Sequence, residues 1–216
     1  MTRTCRFYES VIYGEYMNRF ISAVIVLLGL AGYAYGNEKP ISEYMRDGGA
    51  AQERGDWDEA RRIYALAFSE GNLAQADPRF KAVLHYEYGR SLGVTCSFDE
   101  AERQLNLAND LDKHTGGVFY LSLTELARLN LDQRRFAEAV AYLERVMAEL
   151  DPVITARRVP IFYANVLEDY AMALSGIGRE TDAEAAAKRA AEVRGGTPKE
   201  QFVPDRTPYG KHCPKS

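Results

Sequence analysis

The chain has 216 residues, a mean hydropathy of −0.34, and 27 basic against 31 acidic side chains, for a net charge of −4. That length supports one domain with a sizeable core, and the mixed, slightly acidic balance excludes the concentrated basic face of a nucleic-acid binder. The cysteines, Cys5, Cys96 and Cys213, contain no C-x-x-C pair, which excludes a zinc knuckle or a thioredoxin-type motif.

The first segment with a clear reading is Phe20 to Gly32, an uncharged apolar run preceded by Arg19 and followed by Ala34-Tyr35-Gly36. A basic flank, a short apolar stretch and an Ala-x-Gly end predict a secretory signal peptide over residues 1–36, with cleavage after Gly36. Met17 is a more ordinary initiator than Met1, because residues 1–16 form a long lead-in carrying Arg3, Arg6, Glu9 and Glu15. The competing reading is an uncleaved inner-membrane anchor at residues 20–35, a length near the lower limit for a span. No Cys follows the run, so a lipid anchor is not supported. Cleavage removes three Arg and two Glu and leaves net −5, with Cys96 and Cys213 in an oxidising compartment. There they either pair as a disulfide, or Cys96 sits half-buried in a turn and Cys213 in a loose tail.

Helical signals then alternate along residues 37–194. Ile41 to Glu53 is a helix weakened by Gly48-Gly49. Asp56 with Glu59 caps a second helix that Gly71 stops. Asp77-Pro78 opens a third, Ser97 with Glu100 forms a capping box for a fourth, and Gly116-Gly117 break the chain before Val118 to Leu131. Phe136 to Leu150 follows, ended by Asp151-Pro152. An insertion runs to Val159, Pro160 starts Ile161 to Ser175, and Thr181 with Glu184 caps the last helix. Residues 195–216, with Pro198, Pro204, Pro208 and Pro214, read as an extended tail. Either Phe202-Val203 folds back on the Ala-rich last helix as a cap, or the tail is disordered.

The even-numbered helices repeat one another. Ala60, Ala101, Ala139 and Ala183 are each followed at four by Tyr, Leu, Leu or Ala and at seven by Ala67, Ala108, Met147 or Ala190, and three have an aromatic residue three places ahead (Trp57, Phe98, Phe136). The i, i+4, i+7 stripe is one face of a helix. Twelve residues before each of these alanines stands a small residue in the preceding helix: Gly48, Gly89, Ala127 and Ala171. With that pairing, residues 41–194 resemble the tetratricopeptide repeat family in about four degenerate copies. The copies are spaced 41, 38 and 44 residues apart instead of the family's 34 or so. The leading aromatic of the first helix survives as Tyr44 but is His85, Leu123 and Leu167 in the other copies.

The resemblance implies an all-α fold, a right-handed α-solenoid of eight helices in four antiparallel pairs, with the first helices lining a concave side. It also implies that positions one and five beyond the leading aromatic face that side. Here these are Met45 and Gly49, Tyr86 and Arg90, Thr124 and Arg128, and Glu168 and Met172, and the last six are the peptide-binding candidates. Arg90 and Arg128 hold equivalent places in adjacent pairs. Either they clamp a carboxylate such as a peptide C-terminus, or each pairs with Glu87, Glu125 or Asp169 on a solvated face.

His85, His114 and His212 lack metal-ligand spacing, and no nucleophile-elbow or phosphate-loop motif occurs. His85 reads as a packed residue in an aromatic's place. The expectation is therefore a non-enzymatic, exported (periplasmic or secreted) scaffold that binds a protein or peptide partner, with no cofactor, no metal and no nucleic acid. The alternatives are an anchored accessory protein with the same array and an enzyme with an unfamiliar site.

Overall fold

The computed structural model describes residues 39–70, 73–196, 206–210 and 213. The segment read as a signal peptide and the Phe202-Val203 pair lie outside these residues. Nine α-helices are described: α1 Ile41–Glu53, α2 Trp57–Glu70, α3 Pro78–Val94, α4 Phe98–Thr115, α5 Tyr120–Asp132, α6 Phe136–Glu149, α7 Pro152–Arg158, α8 Pro160–Gly176 and α9 Glu180–Gly195. A 3-10 turn, Leu73–Gln75, joins α2 to α3. Among the described residues there is no strand, and no helix is long and apolar enough to cross a membrane.

Four antiparallel pairs, α1–α2, α3–α4, α5–α6 and α8–α9, stack so that each second helix also meets the next first helix. This is an α-solenoid. The expected eight helices become nine because the insertion after Asp151 is itself helical. The Asp151 carboxylate accepts from the N–H groups of Val153 (2.9 Å) and Ile154 (2.8 Å), and Pro152 sets the first turn, so α7 is capped rather than looped.

Two other capping expectations fail. Ser97 precedes α4 but makes no side-chain cap, and Glu100 instead accepts from Arg103 and Gln104 on the helix surface. Thr181 lies inside α9, which begins at Glu180 after an uncapped Arg179. Asp56 and Asp77 do cap, bonding the N–H groups of Glu59 (3.0 Å) and Arg79 (2.7 Å). The turn inside each pair has one left-handed residue, five places before the repeat alanine: Gly55 (φ 76°), Cys96 (69°), Arg134 (58°) and Gly178 (77°). Glycine adopts this conformation without a Cβ clash. Cys96 does so at the cost a β-carbon imposes.

The repeat residues carry the packing. Ala60, Ala101 and Ala139 have no exposed surface, and Ala183 has 6%. A Cβ added at Gly89 would fall 2.8 Å from Leu105 and 3.2 Å from the Ala101 carbonyl oxygen, and one at Gly48 would fall 2.5 Å from the Tyr64 ring. The two helices of a pair therefore touch through these small residues. Replacing Ala101 by Leu is expected to overpack the α3–α4 contact and lower stability by about 1–3 kcal/mol. Chemical denaturation measures this, and an unchanged midpoint would contradict the register. Leu123 and Leu167 are buried where the family has an aromatic. His85 lies half-buried against the Phe68 ring, with centroids 4.8 Å apart. Its Nδ1 faces Gln104 Oε1, whose amide nitrogen donates to Glu100, so Nδ1 is the donor. Burial lowers the imidazole's basicity.

Asp112, on α4, is buried with its Oδ2 unpartnered, and burial pushes its carboxyl up to about 6. A folded-state value above the unfolded one favours the protonated form. Its contribution to stability is full below about pH 4 and is lost as pH rises through 6. Replacing Asp112 by Asn is thus expected to stabilise the protein at pH 7–8 by about 1 kcal/mol, after allowance for solvent screening. Thermal melts across pH 4–8 should show that gain vanish toward pH 4.

Candidate functional site

On the face formed by α3, α5 and α8, the position two beyond each leading residue is acidic: Glu87, Glu125 and Asp169. Three residues on, α3 and α5 carry Arg90 and Arg128, whereas α8 carries Met172. The i, i+3 spacing puts each arginine beside its own acid. Arg90 donates to Glu87 (2.8 Å) and Arg128 to Glu125 (2.9 Å). Arg128 Nε also reaches the next pair, donating to Asp169 at 2.7 Å.

This ladder is completed from the tail. Arg90 Nε donates to the Thr207 hydroxyl at 3.0 Å, and the Tyr209 hydroxyl donates to Glu125 at 2.8 Å. Arg206 Nε lies 3.3 Å from Asp169, and its NH1 lies 3.5 Å from Asp132. Arg206 thus adds a guanidinium to Asp169 in the one pair whose helix carries Met172 where the other two carry arginine. The Tyr209 ring is buried over Gly93, where a Cβ would fall 2.5 Å from the ring. Cys213 is bonded to Cys96 in the α3–α4 turn, closing a separation of 117 residues.

Electrostatics follow from burial. Burial pushes the Glu125 carboxyl up, but Arg128 and Arg90, with the hydroxyls of Thr207 and Tyr209, bring it below its ordinary range. Burial opposes the charged forms of Arg90 and Arg128, yet Glu87 and Glu125 hold both guanidiniums protonated. The phenols of Tyr86 and Tyr209 are raised by burial and by Glu125. Four carboxylates thus face three guanidiniums, one of which, Arg206, belongs to the tail.

Four of the six candidate residues, Tyr86, Arg90, Thr124 and Arg128, are gathered here, but they are not on an open groove. Tyr86 is 8% exposed, Thr124 1% and Arg128 8%, and the Arg90 side chain is 13% exposed. The Thr124 hydroxyl bonds its own helix at Tyr120 O, 2.8 Å away. Glu168 and Met172 stand apart and exposed, with Glu168 held by Arg194 through two bonds of 2.6 and 2.7 Å. The arginines pair with acids, but in a buried ladder rather than on a solvated face, because neighbouring helices and the tail remove the water. The described part of the tail lies on the first helices. Its residues Arg206, Thr207 and Tyr209 left no periodic trace in the sequence. The usable signals were the recurrent acid two places beyond each leading residue and Gly93 on α3, an unpaired glycine that leaves room for a ring. Among the described residues no group of His, Cys, Asp and Glu is placed to hold a metal ion.

No family model matches the chain, and no curated protein does. Solved structures do. The crystal structure of MamA matches with 15% identity and a TM-score of 0.56, over 72% of this chain and 78% of that one. A Podosopora anserina chain of nearly identical TPR-like repeats, assigned to kinesin light chain, matches with 18% identity and a TM-score of 0.56, over 74% and 77% of the two chains. At such identities the likeness is one of fold, and it agrees with the small-residue contacts inside each pair and the stacking of pair on pair: this chain has the TPR-like helical-repeat fold.

Proposed function

We propose that the protein is a non-enzymatic scaffold, exported through residues 1–36, that binds a short segment of a partner protein on the face of α3, α5 and α8. One observation carries this reading. That face already holds a proline-containing stretch, residues 206–209, which turns at Pro208 and is held by side-chain hydrogen bonds with Arg90 and Glu125 and by an ion pair with Asp169. Helical repeats of this architecture stack to create long binding surfaces, and a polar ladder with hydroxyl and guanidinium partners suits peptide recognition.

Two measurements test it. N-terminal sequencing of the protein from the extracytoplasmic fraction should begin near Asn37; an intact Met1 or Met17 on membrane-bound protein would refute cleavage. A photo-crosslinking residue placed in living cells at Met172, exposed on α8 three residues beyond Asp169, should capture one defined protein, whereas the same residue at Leu107 on α4 should not. Identical capture at both positions would remove the binding role of this face.

A further inference from the structure

We infer that residues 206–209 are an intramolecular ligand of the α3–α5–α8 face, latched by the Cys96–Cys213 disulfide, and that opening the latch makes the face a receptor for a partner's segment of the same Arg-Thr-Pro-Tyr chemistry. The inference rests on the scaffold reading above and specifies its ligand and its control.

Charge argues for the occupant. Without the tail, Glu87, Glu125, Asp169 and Asp132 face only Arg90 and Arg128, leaving two negative charges in excess. A bare face of this kind favours a cationic segment and disfavours an acidic one, so a peptide C-terminal carboxylate is the wrong ligand. Shape argues for the rest. Arg90 Nε points at a hydroxyl acceptor, Glu125 accepts a phenol, and the missing side chain of Gly93 makes the floor for its ring. The four residues of the tail therefore define what a replacement must offer: a guanidinium for Asp169 and Asp132, a hydroxyl for Arg90, and an aromatic hydroxyl for Glu125.

The latch argues for control. Cys96 and Cys213 are half-buried, and Cys96 lines an open cleft of about 230 Å³ with Gly55, Trp57, Asp58 and Thr95. A dithiol reductant can reach a bond at such a rim: the Cys96–Cys213 bond takes up two electrons and two protons and becomes two thiols, while the reductant's two thiols become one disulfide. The tail is then tethered only through Gly196, ten residues from Arg206. Attachment at that chain separation keeps it at an effective concentration on the order of millimolar, so a partner segment must bind the face more tightly than the tail does, or the tail must be weakened.

The test uses the fluorescently labelled peptide Pro204 to Lys211 and anisotropy. Oxidised full-length protein should not bind it. Full-length protein carrying Cys213→Ser, Arg206→Ala and Tyr209→Ala keeps the face and loses the latch together with the competing guanidinium and ring, and it should bind at least tenfold more tightly. Replacing Arg206 or Tyr209 by Ala in the peptide should abolish that gain. Trypsin provides a second reading on unaltered protein: cleavage after Arg206 should be slow when oxidised and at least tenfold faster with dithiothreitol, while the far-ultraviolet circular dichroism stays helical. Absence of peptide binding by a helical triple variant, or equal binding of a scrambled peptide, would overturn the inference. So would loss of the helical signal on reduction, since the bond would then be a structural staple. If defined crosslinking at Met172 persists in any of these cases, the scaffold reading stands without the latch.

Discussion

Replacing Cys213 by Ser should lower the stability of the oxidised protein by about 2–5 kcal/mol, among the largest effects of any single change. The bond closes a separation of 117 residues, and the chain-entropy model gives about 5 kcal/mol for a loop of that size. The lower part of the range applies because reduction also lets the tail leave without unfolding the helices, and because denatured chains retain structure. For a chain of this length the midpoint should fall by roughly 5–15 °C. Thermal melts with and without dithiothreitol measure it. Reductant should bring the natural protein down to the variant and leave the variant unmoved. A variant that melts with the oxidised natural protein would show that the bond contributes nothing.

The second large effect is at Arg128. Its guanidinium joins two helix pairs through buried charge, bonding Glu125 on α5 and Asp169 on α8, and its side chain is 10% exposed. Arg128→Ala leaves two buried carboxylates with less compensation, a situation that costs about 3–5 kcal/mol. The pH dependence follows by sign. With Arg128 present, the Glu125 carboxyl titrates below its ordinary value, so its contribution is present above about pH 4.5 and is lost as pH falls through the folded-state value. Without Arg128 that carboxyl titrates higher, and protonation relieves the variant. The deficit should therefore be widest near pH 7 and shrink below pH 5. Urea titrations at pH 7 and pH 4.5 check this. Arg103→Ala is the control, because Arg103 pairs with Glu100 on an exposed face and should leave the midpoint where it is. Equal effects of the two substitutions would mean that the ladder is solvated.

Much of this architecture is local information. The alanines at 60, 101, 139 and 183, with small residues twelve places earlier, specify helix pairs that touch closely, because small side chains at a helical period let two backbones approach. Asp56-x-x-Glu59 and Asp77-Pro78 mark helix starts because a carboxylate at that position meets free N–H groups. Ser97 and Thr181 looked equivalent to them. Thr181 stands two places past the N-cap position, which Arg179 holds, and Ser97 holds that position without bonding a free N–H. The short helix α7 was hidden because Asp151-Pro152 signals both an end and a start, and only the space left beside α8 selects the start.

The candidate face divides the same way. The sequence by itself determined that Arg90 and Arg128 occupy equivalent places and that Glu87, Glu125 and Asp169 stand near them, since i, i+3 spacing on a helix is geometry. Tertiary structure alone decided that these charges are buried and bridged. Arg206, Thr207 and Tyr209 lie between 37 (206−169) and 117 positions from the groups they meet in the ladder, and nothing in a local pattern encodes a contact at that separation. The cysteines carry the same lesson. Composition and compartment leave Cys96 and Cys213 free to pair or not, and what brings them together is the tail's path across α3 and α5, drawn by charge to an acidic face and by a buried ring to the gap at Gly93.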